Sequence, residues 1–128
     1  NRKEIEKKHI IVLMESEKSV VKRYSRGDGT AVGLSGHTLS HEQVRIILGL
    51  DVNEVVIALD KDIGLIDIFN LCEKIFPIKK VTFILDKDNV LGEKDSPADA
   101  DNKIYKELFN NRIIYDKKLH KKFLREIK

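Results

Sequence analysis

The chain has 128 residues and carries 24 Lys and Arg against 21 Asp and Glu, a net charge of +3. That length suits one domain and excludes a multidomain machine, and 41% hydrophobic residues are enough for a single core. With no Trp and 6% aromatics the chain is a poor stacking platform for single strands or glycans, and one Cys excludes a disulfide framework and a Cys-based zinc site.

Residues 9–14 (HIIVLM) form an unbroken apolar run, the mark of a strand buried on both faces. A helix over 17–24 follows, with Ser16 as N-cap. Arg26-Gly27-Asp28-Gly29 reads as a turn and 30–34 as a second short strand. A helix over 40–48 opens with Ser40 and Gln43 at capping-box spacing. EVVIAL at 54–59 is a third buried strand, and a helix over 63–76 puts Ile66, Phe69, Cys72, Ile75 and Phe76 on its buried side before Pro77 stops it. KVTFIL at 80–85 is a fourth strand. Ser96 and Pro97 stand at the cap and first position of a helix running to about Phe109. A short strand at 113–115 and a basic helix from about Lys118 close the chain.

This alternation predicts a three-layer α/β/α domain around a mostly parallel four-stranded sheet. Its core is expected over 9–115, with a basic C-terminal helix over 116–128. Cys72 falls on the apolar side of its helix and reads as a core residue, while His9 and His120 read as surface residues. His37 and His41 straddle the Ser40 cap, share no helical face and so make a poor metal pair. No apolar run approaches ~18 residues, so no spanning helix, membrane partner or signal peptide is expected, and the chain reads as a cytoplasmic domain. It opens on Asn1 rather than Met, which suggests a piece of a longer protein.

The net charge hides an asymmetry. Residues 1–8 and 116–128 together hold a net +6, and everything between them −3. An acidic body with basic ends suits a metal site flanked by polyanion-binding segments, although basic ends are also ordinary solvated helix termini.

In a parallel sheet, ligands gather beyond the carboxyl ends of the strands. There the first strand ends in Glu15, the third in Asp60-Lys61-Asp62, and the fourth runs into Asp86-Lys87-Asp88, followed by Glu93, Asp95 and Asp99. Crowded carboxylates repel unless a counter-charge joins them, and a hard divalent cation with oxygen ligands is the natural one. Asp60 and Asp62 point the same way if the strand geometry persists through both. Asp99, three residues after Ser96, reads instead as part of a helix cap. An aspartyl-nucleophile phosphatase usually places its Asp-x-Asp after the first strand, whereas here the pair follows the third. No Walker A spacing, dinucleotide fingerprint or covalent nucleophile is present.

This constellation resembles the Toprim domain shared by bacterial-type primases, type IA and type II topoisomerases and related nucleases. Met14-Glu15-Ser16-Glu17-Lys18 is similar to the first motif, with Ser16 where the family usually has Gly. Val32-Gly33-Leu34-Ser35-Gly36 is similar to the second, Gly36 being the better match, and Asp60-Lys61-Asp62-Ile63-Gly64 to the third. Residues 91–99 (LGEKDSPAD) resemble the glycine- and aspartate-rich loop of the primase branch, and Leu39-Ser40 with Gln43 resembles its second helix start. Ser19 departs from the branch, which often carries another acid there.

The resemblance implies a metal-dependent nucleotidyltransferase of the DNA primase type, synthesising primers for replication. Asp60 and Asp62, with Asp95 and Asp86 or Asp88, would hold Mg²⁺ or Mn²⁺, and Glu15 would be a metal ligand or general base. Lys18, Lys22, Arg23, Lys61, Gly36 and the C-terminal Lys/Arg cluster would contact phosphates. The implied partners are a DNA template and nucleoside triphosphates. A zinc-binding template reader and a replicative helicase would engage through regions outside this chain. Two other readings stay open, a Toprim nuclease and a catalytically silent Toprim that binds nucleic acid or protein.

Overall fold

A computed structural model of the chain describes residues 2–15, 17–25, 27, 29–34, 39–60, 63–86, 91, 97 and 101–126. The elements run α1 (Arg2–Lys8), β1 (Ile10–Met14), α2 (Glu17–Ser25), β2 (Ala31–Gly33), α3 (His41–Leu48), β3 (Glu54–Ala58), α4 (Leu65–Ile75), β4 (Lys80–Phe83), α5 (Asn102–Asn110), β5 (Ile113–Ile114) and α6 (Lys117–Glu126). The strands form one sheet in the order β2-β1-β3-β4-β5. β1 pairs in parallel with both β2 and β3, β3 pairs in parallel with β4, and β5 runs antiparallel to β4.

The continuous apolar runs are explained by what covers them. On one face, Ile11, Leu13, Val55, Ile57, Val81 and Phe83 pack against α1, α3, α4 and α6. On the other, Val12, Met14, Val56 and Ala58 pack against α5 and Val20 of α2. All five residues of β3 are buried, so neither face of the central strand meets water. Phe69 sits in the middle of the first face, with ring centroids of Phe83, Tyr115, His120 and Phe123 5.0–5.7 Å away. Edge-on ring pairs of this kind add about 0.5–1.5 kcal/mol each beyond the area they bury.

A charged cluster closes the amino end of the sheet. Glu54, the first residue of β3, is 9% exposed. Its Oε2 accepts from Thr82 Oγ1 at 2.6 Å and Arg112 Nε at 2.6 Å, and its Oε1 accepts from Arg112 Nη2 at 3.1 Å. Lys80 Nζ lies 3.9 Å from Oε1. Burial alone would push the Glu54 carboxyl up, but the hydrogen bonds from Arg112 and Thr82 and the charges of Arg112 and Lys80 outweigh it, leaving it below its ordinary value.

Several expectations need correction. The sheet has five strands rather than four, because the short segment after α5 hydrogen-bonds to the free edge of β4. A helix precedes the first strand. Its one deeply buried residue, Ile5 at 2%, gives too little apolar periodicity to be read from sequence. It ends at His9, whose φ of 58° is left-handed, and whose carbonyl accepts from Asn53 N at 2.9 Å. The helix placed at Ser96 begins at Asn102: Asp101 is the N-cap and accepts from Ile104 N. The expected cap residues Ser96 and Asp99 lie outside the described residues. In α4, Ile66 is 41% exposed, and Ile68 and Leu71 are buried with Phe69, Cys72 and Ile75. His120 is 8% exposed rather than a surface residue, because Tyr115 Oη lies 2.6 Å from its Nδ1 and Phe69 covers it. The Ser40–Gln43 capping box of α3 is formed in both directions, and Cys72 is fully buried, its thiol pushed up to about 12 by burial. No helix of the described residues is long and apolar enough to cross a membrane.

Candidate active site at the carboxyl edge of the sheet

The strand order contains one reversal of direction. From β1 the chain moves to β2 on one side, with α2 between them, and then returns to place β3 on the other side of β1. Helices flanking such a reversal diverge, opening a crevice outside the carboxyl ends of the two central strands. β1 and β3 are those strands, and Met14 is opposite Ala58 at their carboxyl ends. Glu15 follows Met14 directly, and Asp60 lies two residues beyond Ala58. The hydrogen-bonding register, not proximity in sequence, brings these two acids to the same edge of the sheet.

Glu15 is partly buried, and its Oε2 is shut off from solvent with no hydrogen-bond partner among the described residues. A carboxylate oxygen left in this way costs about 1–3 kcal/mol. Folded chains tolerate few such groups, which recur where a ligand or reaction uses them. The chain turns at Asp60, whose carbonyl accepts from Ile63 N at 3.1 Å, and Gly64 then caps α4 without any side-chain hydrogen bond. The amino end of α4 therefore faces the edge that carries Asp60, and helix amino ends favour anions. α3 differs, since its Gln43 N–H donates to the Ser40 hydroxyl in the capping box.

Asp86 comes from the neighbouring strand, three residues beyond Phe83 of β4. Its Oδ2 accepts from Leu91 N at 2.9 Å. Asp62, Asp95 and Asp88, the remaining acids of the expected metal set, lie outside the described residues, as do Lys61 and Gly36. Among the described residues no three His, Cys, Asp or Glu side chains converge as a metal-holding group. The acids that can be placed, Glu15, Asp60 and Asp86, follow three adjacent strands on one edge.

The expected phosphate-contacting residues separate. Of Lys18 only its place in α2 is described. Lys22 and Arg23 lie in the last turn of α2, which starts just after Glu15; at 1.5 Å per residue they are roughly 8 Å along the helix from that start. Arg23 is 5% exposed, its guanidinium 3.5 Å over the Tyr105 ring and its Nη1 donating to Asn102 Oδ1 at 3.2 Å. It braces α2 against α5. Two features of the site were not anticipated. One is the reversal between β1 and β3, which becomes visible only with the strand order. The other is the cap of α4, a Gly with no side-chain hydrogen bond where α3 has a Ser.

The chain matches no established family profile. It is 32% identical, over 129 aligned positions, to the SPbeta prophage-derived uncharacterized protein YorJ of Bacillus subtilis (strain 168); the alignment takes in 85% of this chain and 34% of YorJ. Among solved structures it is similar to the Aquifex aeolicus primase (zinc binding and RNA polymerase domains), with a TM-score of 0.70 and 18% identity over 89% of this chain and 28% of that one. The chain thus spans about a third of the length of either relative. Five mostly parallel strands between two helical layers, matched at this level, give the chain a three-layer, primase-like α/β/α fold.

Proposed function

We propose that this chain is the metal-dependent nucleotidyltransferase domain of a DNA primase, of the Toprim type, extending primers on single-stranded DNA. The observation that carries the reading is the buried Oε2 of Glu15, without a hydrogen-bond partner among the described residues, on the same strand edge as Asp60 at the reversal point of the sheet. The primase-like fold supports it, as does the order of the acidic motifs.

The donor set is all oxygen, which fits a hard cation such as Mg²⁺ or Mn²⁺. Glu15, Asp60 and Asp62 would hold it, with Asp95 and Asp86 as further donors. Bound there, the ion would neutralise a triphosphate and help align its α-phosphate with a primer 3′-hydroxyl. Glu15 would also accept that hydroxyl's proton, and the amino end of α4, capped by Gly64, would receive phosphate oxygens. The template, the nucleotides and a replicative helicase are the partners of the whole protein in this reading.

Calorimetric titration with Mn²⁺ and Mg²⁺ tests the site. Saturable binding by the wild type that Asp60→Ala abolishes is expected, and binding that is unchanged in Asp60→Ala would sink the proposal. Degradation of DNA by the metal-loaded chain without nucleotides would move the assignment to a Toprim nuclease. A second reading, a silent Toprim that only binds, draws on the lack of a three-donor cluster among the described residues. It requires DNA binding that ignores Mg²⁺ and survives Asp60→Ala with Asp62→Ala.

A further inference from the structure

α6 carries Lys117, Lys118, Lys121, Lys122 and Arg125, all exposed. At 3.6 residues per turn, positions 117, 121 and 125 form one row, and 118 and 122 form an adjacent row. Among the described residues, none of these five side chains has an ion-pair or hydrogen-bond partner. Some cations elsewhere do find acids: Lys8 pairs with Glu4 at 3.1 Å, Arg45 with Glu42 at 2.9 Å and Arg112 with Glu54 at 2.6 Å. The acid at the start of α6, Asp116, is turned to the backbone and accepts from Leu119 N at 2.7 Å. Five unneutralised cations on one helix face repel one another, and that cost is relieved when a polyanion lies along them.

Two further observations decide which polyanion. First, the apolar side of α6 is already occupied. Leu119 and Phe123 pack on the core, and the Phe123 ring lies 5.0 Å from that of Phe69. A helix that lies in a membrane surface needs its apolar side free to enter the lipid. Second, α6 runs toward the acidic edge. Its last turns (Lys122, Phe123, Glu126) line a groove of about 200 Å³ together with Leu65, the first residue of α4, and Leu85, the residue before Asp86. We infer that α6 is a track for the sugar-phosphate backbone of a nucleic-acid strand and guides that strand toward the Glu15–Asp60 edge. The inference rests on the proposed reading for what the strand meets there. The row from Lys117 to Arg125 spans roughly 12 Å, enough for about three phosphates of a stacked strand.

The test is equilibrium binding of a fluorescent oligodeoxynucleotide to the full chain, in EDTA, from 50 to about 300 mM salt. Lys117→Gln, Lys121→Gln and Arg125→Gln together should lower the slope of log K against log salt by about 2, at ~0.7 per lost single-strand phosphate contact. Binding should weaken roughly a hundredfold at 0.1 M salt, with the melting temperature unchanged. Lys3→Gln with Lys7→Gln, which removes exposed cations from α1, should change the slope by less than half as much. An unchanged slope in the α6 variant, or an equal loss in the α1 variant, would overturn the track. So would wild-type chain that binds phosphatidylserine vesicles and no oligonucleotide. Because metal is excluded, a failed Asp60 titration leaves this result intact, and the two ideas fail separately.

Discussion

Two carboxylates with oxygens hidden from solvent stand at opposite ends of the same sheet and are treated in opposite ways. Glu54, at the amino end, has both oxygens bonded, by Arg112, Thr82 and a more distant Lys80. Glu15, at the carboxyl end, keeps a sequestered oxygen with no partner among the described residues. Both follow from where strands meet helices, yet one charge is spent within the fold and the other, in the proposed reading, is held for a metal ion. Burial alone therefore does not distinguish a structural acid from a functional one. The count of bonds each oxygen makes does.

That contrast is broken most severely from the Glu54 side. Arg112→Ala strands a carboxylate that is 11% exposed and should cost about 3 kcal/mol in urea denaturation, near the low end for a buried pair because Arg112 itself is 23% exposed. The penalty should depend on pH. The Glu54 carboxyl lies below its ordinary value of 4.5 in the fold, so its contribution is full above that value and is lost as pH falls through the lowered one. A penalty that persists in acid would trace instead to the Arg112 stack on Phe109, 4.2 Å from the ring centroid. From the other side, Glu15→Gln should stabilise the chain by about 1 kcal/mol, by removing a desolvated charge, while abolishing Mn²⁺ binding. Loss of stability in Glu15→Gln would show that its oxygen serves the fold after all. The smallest effect is expected at Gly64, where a Cβ meets nothing within 4 Å. Gly64→Ser should add a few tenths of a kcal/mol by capping α4 and should weaken triphosphate binding measured by calorimetry. Capping without any change in nucleotide affinity would detach α4 from the site.

The sequence made one end of this comparison legible and hid the other. Unbroken apolar runs such as HIIVLM and EVVIAL announce strands covered on both faces, and the acids that end them mark the carboxyl edge before any pairing is known. The partner of Glu54 lies 58 residues away, and no local pattern links the two. The available signal was a charged residue opening a wholly apolar strand, which demands a counter-charge from somewhere. His120 was misplaced for a related reason. It sits among lysines in sequence, and only the fold brings Tyr115 and Phe69 against it. The start of α5 went wrong because Ser96-Pro97 and Asp101-Asn102 both carry helix-opening chemistry, and local rules do not rank two good caps.

The Glu54 cluster also acts as a gauge for the distant end of its strand. Strands that expose one face are held in alignment because a slip of one residue would turn apolar side chains to water. β3 has no exposed face, so Val-Val-Ile-Ala could slide against β1 and β4 and meet other apolar side chains. Glu54 cannot slide, since one step would carry its carboxylate away from Arg112 and Thr82. One step is also about 3.3 Å, more than the length of a metal–oxygen bond. By anchoring the beginning of β3, the salt bridge thus fixes where the strand ends and where the chain leaves it for Asp60, the residue that the proposed reading joins to Glu15.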